Sequence, residues 1–269
     1  MVILEIEDLS AGYENGFVIH GLSLSLAPGD FVALLGRNGS GKSTFIKAVQ
    51  GLLHNVQGSV KIDGVNLFRL GRKEIARRIA YVPQLFEPVF EFTAEEIVGM
   101  GRYARQARFG ALSRADADAV EQAMALTEVL PLRNKRMAHL SGGERQRIFI
   151  ARALAQDTPV LLLDEPSLHL DINYQAEIYG LLRSLRKNQG KTILAAEHNI
   201  NLAASGADRL FFLKNGTIQT SGKPADTITA ETIHDIFDAD VDIRANARTG
   251  LPEISLAEGK GHLRSLNQE

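Results

Sequence analysis

Residues 31–46 read Phe31-Val32-Ala33-Leu34-Leu35-Gly36-Arg37-Asn38-Gly39-Ser40-Gly41-Lys42-Ser43-Thr44-Phe45-Ile46, an apolar run followed by a glycine-rich loop and the start of a periodic segment. Phe31 to Leu35 has the character of a short strand, while Phe45, Ile46, Val49 and Leu52 recur at helical spacing and predict a helix over 42–52. Gly36, Gly39 and Gly41 let successive backbone N–H groups turn inward around phosphate oxygens, and the helix N-terminus adds its partial positive charge. Arg37, Asn38 and Ser40 complete the backbone of that cradle. Lys42 is then placed to reach the β- and γ-phosphates of a nucleotide, Ser43 to offer its hydroxyl to Mg²⁺, and Thr44 follows on the same turn. A plain flexible turn would need neither the strand before it nor the helix after it.

A second element lies further along. Val160 to Leu163 is a continuous apolar run, as a strand buried on both faces requires, and it ends in Asp164-Glu165. Two carboxylates therefore emerge at the C-terminal end of a strand, the edge at which open α/β sheets bind ligands. Asp164 is expected to hold Mg²⁺ and Glu165 to orient and deprotonate an attacking water as general base.

The third element, Leu140-Ser141-Gly142-Gly143-Glu144-Arg145-Gln146, precedes a helix expected over Glu144 to Gln156. Ser141 reads as its N-cap, and Gly142-Gly143 leave the first N–H groups open to an anion. With this signature in place, the chain resembles the nucleotide-binding subunit of an ABC transporter. The resemblance implies a P-loop NTPase core with an antiparallel β-subdomain and an inserted helical subdomain, an α/β fold that hydrolyses ATP. It also implies that Ser141, Gly142 and Gly143 close over the γ-phosphate of ATP bound to a second copy.

Other positions follow from the resemblance one by one. Tyr13, in Ser10-Ala11-Gly12-Tyr13, matches an aromatic residue that stacks on adenine, although a single tyrosine equally suits surface packing. Gln84, in Ala80-Tyr81-Val82-Pro83-Gln84, matches a glutamine that touches Mg²⁺ and the attacking water. Asp171, in Ser167-Leu168-His169-Leu170-Asp171, matches a loop that crosses the dimer interface, with His169 expected to pack or to meet the partner. His198 follows the run Thr192 to Ala196 and matches the histidine that bonds the γ-phosphate. The chain departs from the commoner pattern in carrying Asn199 where an aspartate is usual. Glu197 precedes the imidazole, and a neighbouring carboxylate would favour the protonated ring.

Composition narrows the classes. The chain of 269 residues has no cysteine, which excludes a disulfide framework and thiolate metal sites and suits a reducing cytosol. Residues 1–7 alternate acids with apolar residues and read as a strand instead of a signal peptide. No apolar run approaches a membrane span of about 20 residues. The formal net charge of −2, with basic residues interspersed among acids, offers no face for nucleic acid. One P-loop and one signature make this half of an ATPase pair.

The organisation expected is a single ATPase domain over 1–255, with core segments 1–86 and 157–255, a helical subdomain over about 87–156, and a frayed polar tail over 256–269. Leu4 to Leu9, Val18 to Leu26 and Ser59 to Asp63 alternate like half-buried antiparallel strands. Thr93 caps a helix through Met100, and Ser113 starts another over Arg114 to Leu126. Leu210 to Leu213, Lys214-Asn215-Gly216 and Thr217 to Thr220 read as a hairpin.

Phe92 to Arg102, the loop Leu168 to Ile172 and the tail Asp240 to Pro252 resemble ATPases of bacterial importers for iron siderophores, haem and cobalamin. That implies a separate integral membrane permease, an associated substrate-binding protein, and a peripheral position on the cytoplasmic face of the inner membrane. The groove near Gln84, lined by Phe86 to Phe92, would receive a short permease helix. Two other readings stay open: a soluble ABC ATPase driving metal-cluster assembly or complex remodelling, and a regulatory module without turnover. The second would be favoured by loss of Lys42, Glu165 or His198, and all three are present.

Overall fold

The computed structural model describes residues 2–84, 91–106 and 112–257. Its centre is a six-stranded sheet in the order β10-β9-β3-β8-β7-β6. These strands are β3 (Phe31–Leu35), β6 (Ile79–Val82), β7 (Val160–Asp164), β8 (Thr192–Glu197), β9 (Arg209–Lys214) and β10 (Thr217–Gly222). All run parallel except β10, which pairs antiparallel with β9 at one edge as the hairpin pattern predicts. Every residue of β3, β7 and β8 is buried, which is why these strands read as unbroken apolar runs.

Side chains alternate across this sheet and feed two cores. Val32 and Leu34 point into one cluster with Leu162 and Leu194, where Phe45 and Ile46 of α1 (Lys42–Val49) also lie. The far wall of that cluster is a four-stranded antiparallel sheet ordered β2-β1-β4-β5, made of β1 (Leu4–Tyr13), β2 (Gly16–Leu26), β4 (Asn55–Ile62) and β5 (Val65–Asn66). Phe31, Ala33 and Leu35 face the other way, into a cluster with residues of α5 (Gly142–Ala155), α6 (Ile172–Gln189) and α7 (Ile200–Gly206). A short helix α2 (Arg72–Ala76) precedes β6.

Three helices gather beyond β6. α3 (Ala94–Gly99), α4 (Arg114–Leu126) and α5 each begin with a reciprocal capping box, Thr93 with Glu96, Ser113 with Asp116 and Ser141 with Glu144. Arg102 locks them together: its guanidinium donates to Asp116 at 2.9 Å and to the Ala155 carbonyl at 2.6 Å. The chain continues through α8 (Pro224–Thr227) and α9 (Ala230–Phe237) to a hairpin, β11 (Val241–Ala245) and β12 (Pro252–Leu256). The Asn201 side chain docks that hairpin like a strand, donating to the Ile254 carbonyl at 3.0 Å and accepting from its N–H at 2.8 Å.

Several boundaries differ from the sequence reading. The helix predicted over 42–52 ends at Val49, because Gly51 at φ +68° turns the chain and leaves Leu52 exposed. The helix after the signature starts two residues early, at Gly142, so both glycines lie inside its first turn. The helix capped by Thr93 tightens into a 3₁₀ turn at Met100–Ala104, where a Cβ on Gly101 would lie 2.2 Å from the Arg152 carbonyl oxygen. Phe86 to Phe90, expected to line the permease groove, and the tail from Gly259 to Glu269 lie outside the described residues. Among the described residues no helix is long and apolar enough to cross a membrane.

Candidate functional site

Strand order decides which loops meet. β8 lies between β3 and β7, so the loops leaving the C-terminal ends of these three strands emerge side by side. They carry the glycine-rich segment, His198, and the pair Asp164-Glu165 respectively. β6 adds Gln84 at the same edge. The result is a cavity of about 540 Å³ lined by Asn38, Gly39, Gly41, Lys42, Ser43, Thr44, Gln84, Glu165 and His198, with Val18, Leu168 and His169 completing the wall.

The glycine-rich loop is shaped by close approach. Gly41 caps α1 at φ +107°, and a Cβ there would strike Ile19 Cγ2 at 2.7 Å. A Cβ on Gly36 would lie 2.3 Å from the Leu213 carbonyl oxygen. With the loop so fixed, Lys42 Nζ bends back to donate to the Gly36 carbonyl at 2.7 Å and to that of Arg37 at 3.3 Å. It also stands 3.9 Å from Glu165 Oε1. Burial lowers the lysine's pKa, opposed by the charges of Glu165, Asp164 and Glu197.

Ser43 donates its hydroxyl to Asp164 Oδ1 at 3.3 Å, and the Tyr81 hydroxyl reaches Asp164 Oδ2 at 3.5 Å. Burial, then the charge of Glu165, raises the Asp164 pKa, while the Ser43 bond lowers it. Burial also pushes Tyr81 up to about 12, so its phenol stays protonated and able to donate. Ser43 and Asp164 bring two hard oxygen donors together, which fits a small divalent cation that takes further ligands from phosphate and water. Among the described residues no group of three or more His, Cys, Asp or Glu is placed to hold a metal ion.

Glu165 occupies the left-handed region at φ +49°, a conformation that costs a non-glycine residue about 1–2 kcal/mol. Its N–H donates to the Ala196 carbonyl at 2.9 Å, extending the β7–β8 ladder into the loop. His169, at φ +60°, turns its loop so that it lines the cavity, a position the sequence reading did not anticipate.

Not every expected residue joins this cavity. Tyr13 borders a separate hollow of about 570 Å³ with Glu14, Leu53 and His54; its ring lies 5.8 Å from Lys47 Nζ, which also bonds its hydroxyl at 3.4 Å. Arg37 turns away to pair with Asp238, and together with Ser40 it lines another hollow beside Lys214. Ser141 and Asp171 are exposed away from the cavity at the N-caps of α5 and α6. Gly142 and Gly143 follow Ser141, and Gly143 is buried because the Tyr174 ring lies where its Cβ would be.

Two contacts were not legible in the sequence. Glu197 stands beside the imidazole as the sequence suggests, 4.0 Å from His198 Nδ1, but its buried carboxylate also accepts from Ser167 Oγ, a partner 30 residues away. Tyr81 joins the site to a groove of about 290 Å³ between the central sheet and the helical layer, lined by Leu52, Arg72, Ile75, Tyr81, Met100 and Arg152. Arg152 donates to the Tyr81 carbonyl at 3.3 Å and lies over the Phe149 ring.

Residues 19–168 match the ABC transporter family. Among relatives, the iron(3+)-hydroxamate import ATP-binding protein of Bacillus subtilis is 36% identical over 249 residues, covering 93% of each chain. The ferric enterobactin transport ATP-binding protein of Escherichia coli is 37% identical, over 86% of this chain and 85% of its own. A cobalamin import ATP-binding protein of Halobacterium salinarum is also 37% identical, but the 94% of this chain that aligns spans only 63% of that relative's length. Among solved structures, a chain described as part of a metal-chelate type ABC transporter, in an inward-facing conformation, superposes with a TM-score of 0.83. It is 27% identical, with 95% of this chain and 97% of that one covered. An ATP-binding cassette in a dimeric post-hydrolysis state with ADP and phosphate superposes at 0.71, with 29% identity over 82% of this chain and 98% of that one.

Proposed function

This chain belongs to the ABC transporter family, and we propose that it is the ATP-hydrolysing subunit of an importer for a metal chelate such as an iron siderophore, haem or cobalamin. The carrying observation is the single cavity in which Lys42, Ser43, Gln84, Glu165 and His198 converge beside Asp164. Relatives named for hydroxamate, enterobactin and cobalamin transport support the chelate class.

In this reading the glycine-rich loop wraps the phosphates and Lys42 releases the Gly36 carbonyl to meet the β- and γ-oxygens. Ser43, Asp164 and Gln84 would hold Mg²⁺, which supplies charge neutralisation at the phosphates when bound. Glu165 orients a water towards the γ-phosphorus and takes its proton as the new P–O bond forms and the bridging oxygen leaves with ADP. His198 bonds the γ-phosphate. Tyr13 provides the face for adenine.

Two copies sandwich two nucleotides, each site completed by Ser141, Gly142 and Gly143 of the other copy, with Asp171 at the shared boundary. The exposure of Ser141 and Asp171 outside the cavity is what a contribution across an interface requires. Loss of the γ-phosphate removes the contact that joins the halves, and the pair reopens. The groove at Met100 and Arg152 would receive a short permease helix. Its two guanidinia, with no carboxylate in the lining among the described residues, favour a segment carrying an acidic side chain. A substrate-binding protein outside and attachment at the cytoplasmic face of the membrane complete the assembly.

The test is recovery of tagged Glu165→Gln protein from detergent-solubilised host membranes with ATP and Mg²⁺, followed by mass spectrometry. A polytopic membrane protein in matching amount is expected. Recovery only from the soluble fraction, with soluble partners, would instead favour cluster assembly or complex remodelling.

A further inference from the structure

Glu197 closes β8 and is fully buried. Its two carboxylate oxygens lie 3.0 and 3.2 Å from Ser167 Oγ, and one accepts from the His198 N–H at 3.3 Å. Ser167 is itself fully buried, two residues beyond Glu165. The Tyr179 hydroxyl of α6 faces the same carboxylate without completing a well-formed hydrogen bond. Lys42 and the His198 ring, 4.0 Å away, are the other charged or titratable groups within its influence. No lysine or arginine within ion-pair distance of Glu197 is found among the described residues.

A carboxylate buried without a bonded cation is costly, and an apolar side chain of similar volume would fill this space more cheaply. What the carboxylate adds is connection. One of its bonds goes to the loop that carries Glu165, the other to the first residue after β8, which is His198. The Ser167 carbonyl in turn accepts from the Gln175 side chain at 3.3 Å, so the tie continues into α6 behind the segment that holds Asp171.

We propose that Glu197 is a positioning residue which, through Ser167, holds the loop of the general base and the loop of the γ-phosphate contact in one register, so that Glu165 and His198 engage the same nucleotide together. The inference rests on the roles assigned above to Glu165 and His198 and adds a residue to which neither the motifs nor the resemblance gave a task. It makes the Ser167–Glu197 bond a requirement for turnover and not for nucleotide binding, because neither side chain lines the phosphate cavity.

The experiment is steady-state ATP hydrolysis by purified Ser167→Ala, Glu197→Leu, Glu197→Gln and the Ser167→Ala/Glu197→Leu double variant, each normalised to folded protein by thermal melting. Ser167→Ala and Glu197→Leu should each lower kcat about tenfold with KM for ATP within about twofold, since the tie acts on orientation after binding. The double variant should fall no further than either single one, and Glu197→Gln, which keeps an acceptor for the serine, should hold within about twofold of the unaltered protein. Unchanged kcat in both disrupting variants, or losses that multiply in the double variant, would overturn the proposal. Glu165→Gln and His198→Ala run in parallel keep the premises separate: full turnover in those two would remove the site assignment itself.

Discussion

The Tyr174 ring lies 2.2 Å from where a Cβ on Gly143 would stand, so α5 and α6 meet edge to edge at the signature segment. The second glycine of that segment is thus demanded by packing within the chain, beside any contact it makes with nucleotide. Gly143→Ala should therefore cost about 1–3 kcal/mol of stability through overpacking. Thermal unfolding reads this, and a Tyr174→Ala background should recover much of the loss.

Ser141 offers a cleaner probe of the shared site, because it is exposed and its fold role is confined to capping α5. Ser141→Arg is expected to abolish the ATP-dependent dimer in size-exclusion chromatography, while nucleotide affinity of the single chain changes by less than about threefold, the cap itself being worth roughly 1 kcal/mol. Equal loss of nucleotide binding by the monomer would return that residue to its own chain's site.

Glu197 also carries a pH signature. Burial pushes its carboxyl from 4.5 up to about 7, against the nearby Tyr179 hydroxyl and hydrogen bonds from Ser167 and the following backbone, which pull it down. The unfolded chain loses this proton near 4.5 and the folded one near 7, so the folded state holds more protons between those values and stability falls as pH rises through them. Glu197→Gln lacks the penalty. Its stability relative to the unaltered protein should be lowest near pH 4.5, climb to pH 7 and then level off, with a span of at most about 3 kcal/mol. Parallel denaturant melts at four pH values measure it; a gap that does not vary with pH would mean that Glu197 titrates normally.

At the groove between sheet and helical layer, Met100 is 43% exposed and can accept a charge without disturbing the core. Met100→Glu should leave the thermal midpoint in place and reduce the amount of protein retained on host membranes about tenfold, an effect on the scale of losing one interface anchor. Retention equal to that of the unaltered protein would move the permease contact elsewhere.

Much of this architecture can be read from local pattern. The helix Arg114 to Leu126 has the bounds expected of it, because Ser113 and Asp116 form a capping box that fixes its start. The buried strands were legible from their unbroken apolar runs, and the fold class followed from the loop between Phe31 and Phe45. The helix after Lys42 is shorter than its apolar spacing suggests, because that spacing continues past the glycine that turns the chain. Contacts through space left no local trace. Ser167 and Glu197 are 30 residues apart, Tyr81 and Asp164 83 apart, and each pair meets only because β6, β7 and β8 are neighbours. The β11–β12 hairpin leaves little local trace, since its strands are half-exposed and it docks through Val241, Ile243 and Ile254 against the core together with the Asn201 side chain.

The strand order has a consequence for how this protein comes into being. β3, which launches the glycine-rich loop, forms early in the chain, yet both of its edges are paired by β8 and β9, which span residues 192–214. A growing polypeptide emerging from a ribosome therefore exposes an apolar strand with no neighbour until most of the chain has been made. Such long-range pairing slows folding and leaves an unpaired edge open to aggregation in the meantime. A product truncated before Thr192 retains the entire glycine-rich motif and has neither flank of the strand that carries it. The motif becomes a site only when the last third of the chain arrives.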